Sequence, residues 1–263
     1  MNNIRWYRAF FAATVLCALL GSTASAALAE EEHQHVKKLS IVIDDFGNGM
    51  DGTEEMLQLP VRLTIAVMPF LPTSQADAKL AHEKGHEVIV HLPMEPVRGK
   101  KSWLGPGAIT TDLSNEEIRK RVEAAIDDVP FAVGINNHMG SKATADERVM
   151  TVILQVCKER GLFFLDSRTS SKSVIGTIAK QIGVSTESNH LFLDEVYTVQ
   201  HISKQMERLM KHIADHDRCV VIGHVGPPGK KTAEILRRSL PAILHQTEIV
   251  PLTMLAKDYT LLD

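Results

Sequence analysis

The amino-acid sequence predicts an α/β protein with a single domain. The expected architecture is a deformed barrel of seven or eight βα units, with parallel strands and helical crossovers. Apolar strand-like runs alternate with amphipathic helical segments over residues 39–258, as they do in parallel sheets. The first run, Leu39–Ile43, is followed at once by two acids. Runs of this kind are typical of strands buried on both faces. No glycine-rich G-x-G-x-x-G turn follows this strand, which disfavours an open dinucleotide-binding sheet.

The individual elements follow from local patterns. The predicted strands cover residues 39–44, 63–67, 87–91, 132–136, 162–166, 184–185, 219–223 and 249–252. The predicted helices cover residues 50–59, 74–84, 115–127, 145–160, 174–182, 199–216 and 230–245. Ser114, with Glu117 three residues later, predicts a capped start for the third helix. Gly85 and Gly161 predict left-handed helix ends.

The first 29 residues have the features of a secretory signal peptide. Two arginines precede an apolar stretch of 12 residues, and small residues with an A-x-A pattern lead up to Ala29. The apolar stretch is short for a membrane span, so cleavage is favoured and an uncleaved anchor is the alternative. We therefore predict a secreted or extracytoplasmic protein, with a flexible lead-in over 30–38, a barrel domain over 39–258 and no stable membrane span after processing.

The net charge argues against one class of partner, nucleic acid, and the sequence around the cysteines predicts their oxidation state. Loss of the leader would remove two arginines and take the formal charge from −3 to −5. A mildly acidic chain without basic clusters is a poor binder of nucleic acid. Cys157 and Cys219 lie in apolar runs and are predicted to be buried free thiols, with a disulfide as the alternative in an exported chain.

Polar side chains follow five of the predicted strands at the point where each strand ends. They are Asp44–Asp45, His91, Asn137–His138, Asp166 and His224. The carboxyl ends of parallel strands meet at one end of a barrel, which is where active sites of such barrels lie. Acids and histidines converging there predict a metal-dependent hydrolase.

The candidate metal ligands are Asp45, His91, His138 and Glu95. A carboxylate with neutral imidazoles suits Zn²⁺, and another divalent first-row metal is the alternative. Glu95, four residues beyond His91, is a candidate third or fourth ligand.

The remaining strand-end residues are candidates for acid–base catalysis. Asp44 is the candidate general base. Neighbouring residues of an extended strand point to opposite faces, so both acids reach one site only if the chain turns at Asp45; otherwise one of them caps the next helix. His224 is the candidate general acid or oxyanion stabiliser, with a core histidine as the alternative.

Three other features complete the prediction of the site and its surroundings. Asp166 is a candidate for holding a histidine of the site, with a structural pair to Arg168 as the alternative. Asp194–Glu195 follows no clear strand and is predicted to be a solvated cap. The long segment 93–114, which contains Trp103, is predicted to be either a substrate-binding lid or a cover for the barrel end.

The ordered set of motifs resembles the polysaccharide deacetylase family, and more closely its divergent branch. The resemblance covers residues 39–255 and is carried by Ile43–Gly47, His91–Pro96, Asn136–Ser141, Leu165–Arg168 and Ile222–Gly226. It implies a deformed barrel, a divalent metal bound by an aspartate and two histidine-like ligands, and N- or O-deacetylation of acetylated envelope sugars.

The resemblance also implies a role for each matching residue. Asp44 corresponds to the base, Asp45 and His91 to metal ligands, and His224 to the catalytic acid. Asp166 corresponds to the acid that orients this histidine.

Two positions depart from the family pattern. Glu95 stands where a second histidine is usual, and Asn137–His138 replaces an arginine–proline segment. We therefore expect His138 to supply the missing nitrogen ligand, with Glu95 close by or bound.

The leading hypothesis is an exported hydrolase that uses a metal-activated water to deacetylate envelope polysaccharide or oligosaccharide. One alternative is a metal-dependent amidase that acts on peptidoglycan peptides. Another is a barrel that has lost turnover and binds a glycan or cell-wall partner through the loop around Trp103.

Overall fold

A computed structural model describes residues 36–258 of the chain. The predicted signal peptide lies outside the described residues, as does most of the lead-in. The strands are β1 (Lys38–Phe46), β2 (Thr64–Val67), β3 (Glu87–Met94), β4 (Ala132–Met139), β5 (Phe163–Asp166), β6 (Thr186–Ser188), β7 (Leu191–Phe192), β8 (Arg218–His224) and β9 (Glu248–Ile249). The α-helices are α1 (Thr53–Leu57), α2 (Ser74–Glu83), α3 (Asn115–Asp128), α4 (Glu147–Arg160), α5 (Ile175–Ile182), α6 (Val199–Asp215), α7 (Gly229–Gln246) and α8 (Leu252–Asp258).

The strands form one curled parallel sheet, which confirms the predicted fold class. Their order is β6-β5-β4-β3-β2-β1-β8-β7, and β9 pairs with the start of β1. Every strand pairing in this sheet is parallel. Parallel neighbours require crossover connections, and helices supply most of them.

The two edges of the sheet meet at Asn189 and His190. These consecutive residues connect β6, at one edge, to β7, at the other. The Asn189 backbone N–H donates to Asp166 O on β5 (2.9 Å), and that of His190 donates to Val220 O on β8 (2.9 Å). The continuous chain, instead of a regular strand pair, thus joins the two edges of this deformed barrel.

The barrel interior changes from apolar to polar along the strands. Its middle is a buried apolar cluster that includes Val42, Ala66, Ile89, Phe163, Leu165, Val220 and Ile222. Side chains alternate between the two faces of a strand. The next inward-facing positions after Val42, Ile89 and Ile222 are therefore Asp44, His91 and His224. The two-residue alternation that places apolar side chains in the barrel interior therefore also places polar side chains at its carboxyl end.

Helix α8 covers the opposite end of the barrel. Its Leu252 and Leu255 belong to the interior apolar cluster. The buried Glu87 carboxylate at the start of β3 accepts hydrogen bonds from the Thr64 hydroxyl (2.9 Å) and the Thr253 backbone N–H (3.2 Å). In the part of the chain that the structure describes, α8 therefore closes the amino end and is tied to β3 there.

The predicted helix ends were confirmed, whereas some of the short strands were predicted wrongly. The Ser114 hydroxyl accepts a hydrogen bond from Glu117 N (3.2 Å), and Gly85 and Gly161 have φ angles of 85° and 68°. The strand predicted at 184–185 lies instead at Thr186–Ser188 (β6), and β7 was not predicted. The strand predicted at 249–252 ends at Ile249, and α8 begins at Leu252.

Two further predictions concern the rest of the described chain. Cys157 and Cys219 are buried free thiols, as expected. Among residues 36–258, no helix has the length and apolar character needed to cross a bilayer.

Candidate metal centre and active site

A bulge at the end of β1 brings both aspartates to the site. The pairing of β1 with β2 shifts by one residue between Ile43 and Phe46, and Asp45 has a left-handed backbone with φ = 70°. This is the turn that the sequence required if Asp44 and Asp45 were to reach one site. Positive φ is unfavourable for most side chains but is tolerated by aspartate. Met139, the last residue of β4 (φ 55°), and Arg168, just past β5 (φ 57°), have the same backbone conformation.

Three candidate ligand atoms form a small triangle. Asp45 Oδ1 lies 3.1 Å from His138 Nδ1 and 3.3 Å from His91 Nε2, and the two nitrogens lie 3.1 Å apart. Among the described residues this is the one group of three with metal-ligand spacing. Donor atoms about 2.0–2.1 Å from a metal would lie about 3.3 Å apart in a tetrahedral site and about 3.0 Å apart in an octahedral one. The triangle therefore has the dimensions of a coordination face.

The surroundings orient both imidazoles toward this triangle. The Nδ1 of His91 lies 2.7 Å from Asn136 Oδ1, and the Nε2 of His138 lies 2.9 Å from the Trp103 carbonyl oxygen. Both partners are acceptors, so we assign the ring protons to these outer nitrogens. The inner nitrogens then carry lone pairs. Metal-binding histidines are commonly oriented in this way by acceptors on their far side.

A second observation, the environment of the Asp45 carboxylate, also indicates that the three candidate ligands suit a cation. Asp45 Oδ1 is buried and has no hydrogen-bond donor, which is costly for a polar atom unless a cation lies beside it. Burial alone would raise the pKa of Asp45, but hydrogen bonds and positive charge from His138 and His91, when these rings are protonated, outweigh it and hold the pKa well below its usual value. A divalent cation would supply the same positive charge to the neutral rings. A carboxylate thus faces two inward-pointing nitrogens, and Asp45, His91 and His138 fit a divalent metal.

Asp44 lies beside the triangle in a different environment. It is 2 % exposed. Burial raises its pKa, and the charges of His91 and His224 only partly oppose this. Asn136 Nδ2 donates to Asp44 Oδ1 (2.9 Å), while Asp44 Oδ2 lies 3.7 Å from His91 Nε2. The two neighbouring aspartates therefore have opposite pKa shifts, an arrangement that separates a proton acceptor from a metal ligand.

His224 is held by an acid that the sequence analysis assigned to a solvated cap. Asp194 is fully buried, and its Oδ1 accepts the Nδ1 proton of His224 (2.7 Å). Its Oδ2 accepts from the His224 backbone N–H (2.9 Å) and from the Thr232 hydroxyl (2.7 Å). Burial opposes protonation of His224, but Asp194, Asp45 and Asp44 outweigh it and raise its pKa to about 9.

The expected role of Asp166 is therefore corrected. Asp166 does not hold His224: its Oδ1 accepts the backbone N–H of Arg168 (2.7 Å). In the order of the sheet, β7 is the neighbour of β8, whereas β5 is separated from β8 by four strands. The short run Leu191–Leu193 before Asp194 was the signal that could have identified the correct acid.

Glu95 is also corrected as a metal ligand. It is absent from the ligand triangle. Its Oε1 pairs with Lys142 Nζ (2.7 Å), and its Oε2 accepts from the backbone N–H and the hydroxyl of Thr111 (both 2.8 Å). Partial burial is outweighed by these partners, which lower the pKa of Glu95. The carboxylate ties the 93–114 loop to the segment after β4.

The 93–114 loop has the covering role, one of the two roles that the sequence left open. Ile109 is buried and pairs with Met94, which anchors the loop over the barrel end. The Trp103 carbonyl lies 2.9 Å from His138 Nε2, and Trp103 is 58 % exposed. The loop thus covers the barrel end and contacts the ligand triangle through this carbonyl.

These groups surround a pocket of about 360 Å³ at the carboxyl end of the barrel. Polar side chains from β4 and from the loop after β5 line one side, including Asn137, Ser167 and Thr169. Apolar and aromatic groups line the side next to His224, including Phe192, Tyr197, Pro227 and Pro228. The volume is within the usual range for small-ligand sites.

The fold and the site together define an α/β barrel with a candidate metal centre between an acid and a histidine. The chain belongs to the divergent polysaccharide deacetylase family, whose model matches residues 41–256. This match confirms the resemblance found in the motifs.

Similar proteins extend the comparison. An uncharacterized protein of Haemophilus influenzae is 35 % identical over 213 residues, which cover 81 % of this chain and 74 % of the relative. The uncharacterized protein YibQ of Escherichia coli K12 is 34 % identical over 204 residues, or 78 % of this chain and 63 % of the relative. The crystal structure of an uncharacterized protein of Agrobacterium tumefaciens C58 has a TM-score of 0.76 at 20 % identity, covering 84 % of this chain and 89 % of that chain. The last likeness shows the fold.

Proposed function

We propose that this protein is an exported metal-dependent hydrolase that removes acetyl groups from envelope polysaccharide or oligosaccharide. Family membership supports a carbohydrate deacetylase. The observation that carries the proposal is the position of two proton-transfer groups, Asp44 and His224, beside the ligand triangle in one pocket. The predicted signal peptide supports export.

Asp45, His91 and His138 would hold the metal, and the mixed donor set favours Zn²⁺. A divalent metal there would polarise the acetyl carbonyl and lower the pKa of an attacking water. The remaining chemistry belongs to the protein's own side chains.

Asp44 takes the proton of the attacking water. Asn136 donates to one oxygen of this carboxylate, which leaves the other free to act as a base. The raised pKa of Asp44 makes it a stronger proton acceptor than an exposed aspartate. Because Asn136 also accepts from His91 Nδ1, one amide fixes the base and a ligand together.

His224 gives a proton to the leaving amine or alcohol. Its Nδ1 is bonded to Asp194, so its Nε2 is the atom available to the substrate. The raised pKa keeps the ring protonated at neutral pH, as a general acid requires. Asp194 sets the ring's orientation and stabilises its positive charge.

The test is acetate release from acetylated glycan oligomers by protein supplied with Zn²⁺. We expect wild type to release acetate and Asp45→Ala to lose both bound metal and turnover. Asp44→Asn should keep the metal and lose most turnover, since it removes the base alone. Cleavage of peptidoglycan peptides without acetate release would replace the proposal with an amidase. Glycan binding that is unaffected by chelator, without turnover of either substrate, would replace it with a binding protein.

A further inference from the structure

We propose that the carboxyl end of the barrel docks onto the surface of a lipid bilayer that contains anionic phospholipids. The contact is made by the tip of the 93–114 loop, residues 97–103, with a second apolar contact from the segment before α6. This inference goes beyond the proposed function, because it adds a partner and does not depend on the reaction.

The loop tip presents two apolar side chains to solvent. Val97 is 68 % exposed and Trp103 is 58 % exposed, the two largest fractions among the exposed large hydrophobic side chains of the described residues. Exposed apolar side chains that lie close together mark a surface that meets an apolar partner. Tryptophan in particular is enriched where a protein meets the headgroup region of a membrane.

The same segment is basic. Residues 96–111 contain Arg98, Lys100 and Lys101 and no acid, in a chain whose formal charge is −3. Lys100 Nζ lies 5.5 Å from the centroid of the Trp103 ring, so the tip presents a cation and an aromatic ring together. Basic and aromatic residues side by side are typical of segments that bind anionic membrane surfaces.

The base of the loop is anchored to the barrel. The Val97 backbone N–H donates to Ser141 Oγ (3.0 Å), and Leu104 is buried. Glu95, the acid just before the basic segment, directs its carboxylate to Lys142 Nζ (2.7 Å). A loop that is already fixed at its base loses little conformational entropy when its tip binds a partner.

A second apolar segment lies at the same end of the barrel. Among the described residues, eight large hydrophobic side chains are at least half exposed. Five of them lie in the 93–114 loop or between β7 and the first residue of α6: Val97, Trp103, Val196, Tyr197 and Val199. The carboxyl end thus carries most of the strongly exposed apolar side chains of the described chain.

A bilayer surface accounts for both features of the loop tip, whereas a free anion accounts only for its charge. The cations would meet phosphate headgroups, and Val97 and Trp103 would enter the layer just beneath them. The Trp103 carbonyl lies 2.9 Å from His138 Nε2, and His138 and Tyr197 both line the pocket. Docking in this orientation therefore brings the mouth of the pocket to the membrane surface.

The fluorescence of Trp103 is a direct probe of this contact. A Trp6→Phe variant of the full chain leaves Trp103 as the single tryptophan, so the signal reports this loop whether or not the leader is removed. The variant is titrated with vesicles of phosphatidylcholine, with or without an equal part of phosphatidylglycerol. With the anionic vesicles we expect a blue shift that salt weakens, and quenching when the acyl chains are brominated.

Two pairs of variants in this background test the charge and the apolar contact. Arg98→Gln/Lys100→Gln should weaken binding roughly 30-fold, because each cation near an anionic surface contributes about a factor of five. Its control, Lys84→Gln/Lys211→Gln, removes two exposed lysines near the C-terminal ends of α2 and α6 and should bind like the parent. Val97→Ser should weaken binding roughly tenfold, whereas Val133→Ser, at the exposed start of β4, should not.

The outcomes separate the bilayer from other partners. An unchanged Trp103 signal with anionic vesicles overturns the proposal, as does equal weakening by the control variants. A signal change without quenching by brominated chains overturns insertion of the tip. Size-exclusion chromatography tests a second copy of the chain as the partner: a dimer that Val97→Ser separates would mean that this copy covers the loop, and would overturn docking on a bilayer. None of these results depends on turnover, so the proposed reaction stands or fails separately.

Discussion

The buried pair of His224 and Asp194 should make the stability of the metal-free protein depend on pH. The folded pKa of His224 is about 9, against an ordinary value of 6.5. A shift of this size corresponds to about 3 kcal/mol of stability at low pH. Because the folded pKa is raised, this contribution is fully present below pH 6.5 and is lost as the pH rises through 9.

The assay is urea unfolding at steps from pH 6 to pH 10, with chelator present so that no metal competes with the imidazolium charge. Wild type should lose about 3 kcal/mol of unfolding free energy relative to His224→Gln over this range. Taking the difference between the two proteins cancels the other groups that titrate. His245→Gln, on the exposed end of α7, is the control and should follow wild type.

An NMR titration tests whether the protonation of His224, and not a general loss of structure, causes this pH dependence. The ring signals of His224 in an NMR titration should have a midpoint near pH 9 in wild type. The midpoint should fall markedly in Asp194→Asn, because the amide removes the charge that opposes the desolvation of the ring. The same pH dependence in wild type and in His224→Gln would refute the reasoning.

Three shorter predictions test the rest of the site and the core. Wild type should bind a divalent metal at near 1:1 by elemental analysis, and His138→Ala should lose it because it removes one of three donors; retained stoichiometric metal would contradict the ligand triangle. Glu95→Gln should keep the metal, since its carboxylate is bonded to Lys142 instead, and should cost roughly 1 kcal/mol or less in urea unfolding; loss of metal would make it a ligand after all. Ile222→Ala should cost roughly 2–5 kcal/mol in the same unfolding assay, because its side chain fills the barrel interior; a cost near zero would mean that the interior is loosely packed.

Local sequence patterns were sufficient for the fold class and for much of the site. Apolar β-branched runs and helix caps depend on residues that are near one another in the chain, so they can be recognised without the tertiary structure. The condition that the chain must turn at Asp45 if both acids are to reach one site had the same origin, since two neighbouring acids cannot share a site on a straight strand. His138 was expected as a ligand because the family's usual residues were missing, and the structure places it within 3.1 Å of Asp45.

Only the tertiary structure decided which partners these residues take. Asp166 and Asp194 both follow apolar runs, and the strand order, which no local pattern records, makes Asp194 the neighbour of His224. Glu95 has the right spacing from His91, yet Lys142 and Thr111, brought in by distant segments, take up its carboxylate. The chain by itself therefore determined which chemical groups reach the carboxyl end of the barrel. Their pairing depended on contacts between strands and loops far apart in sequence.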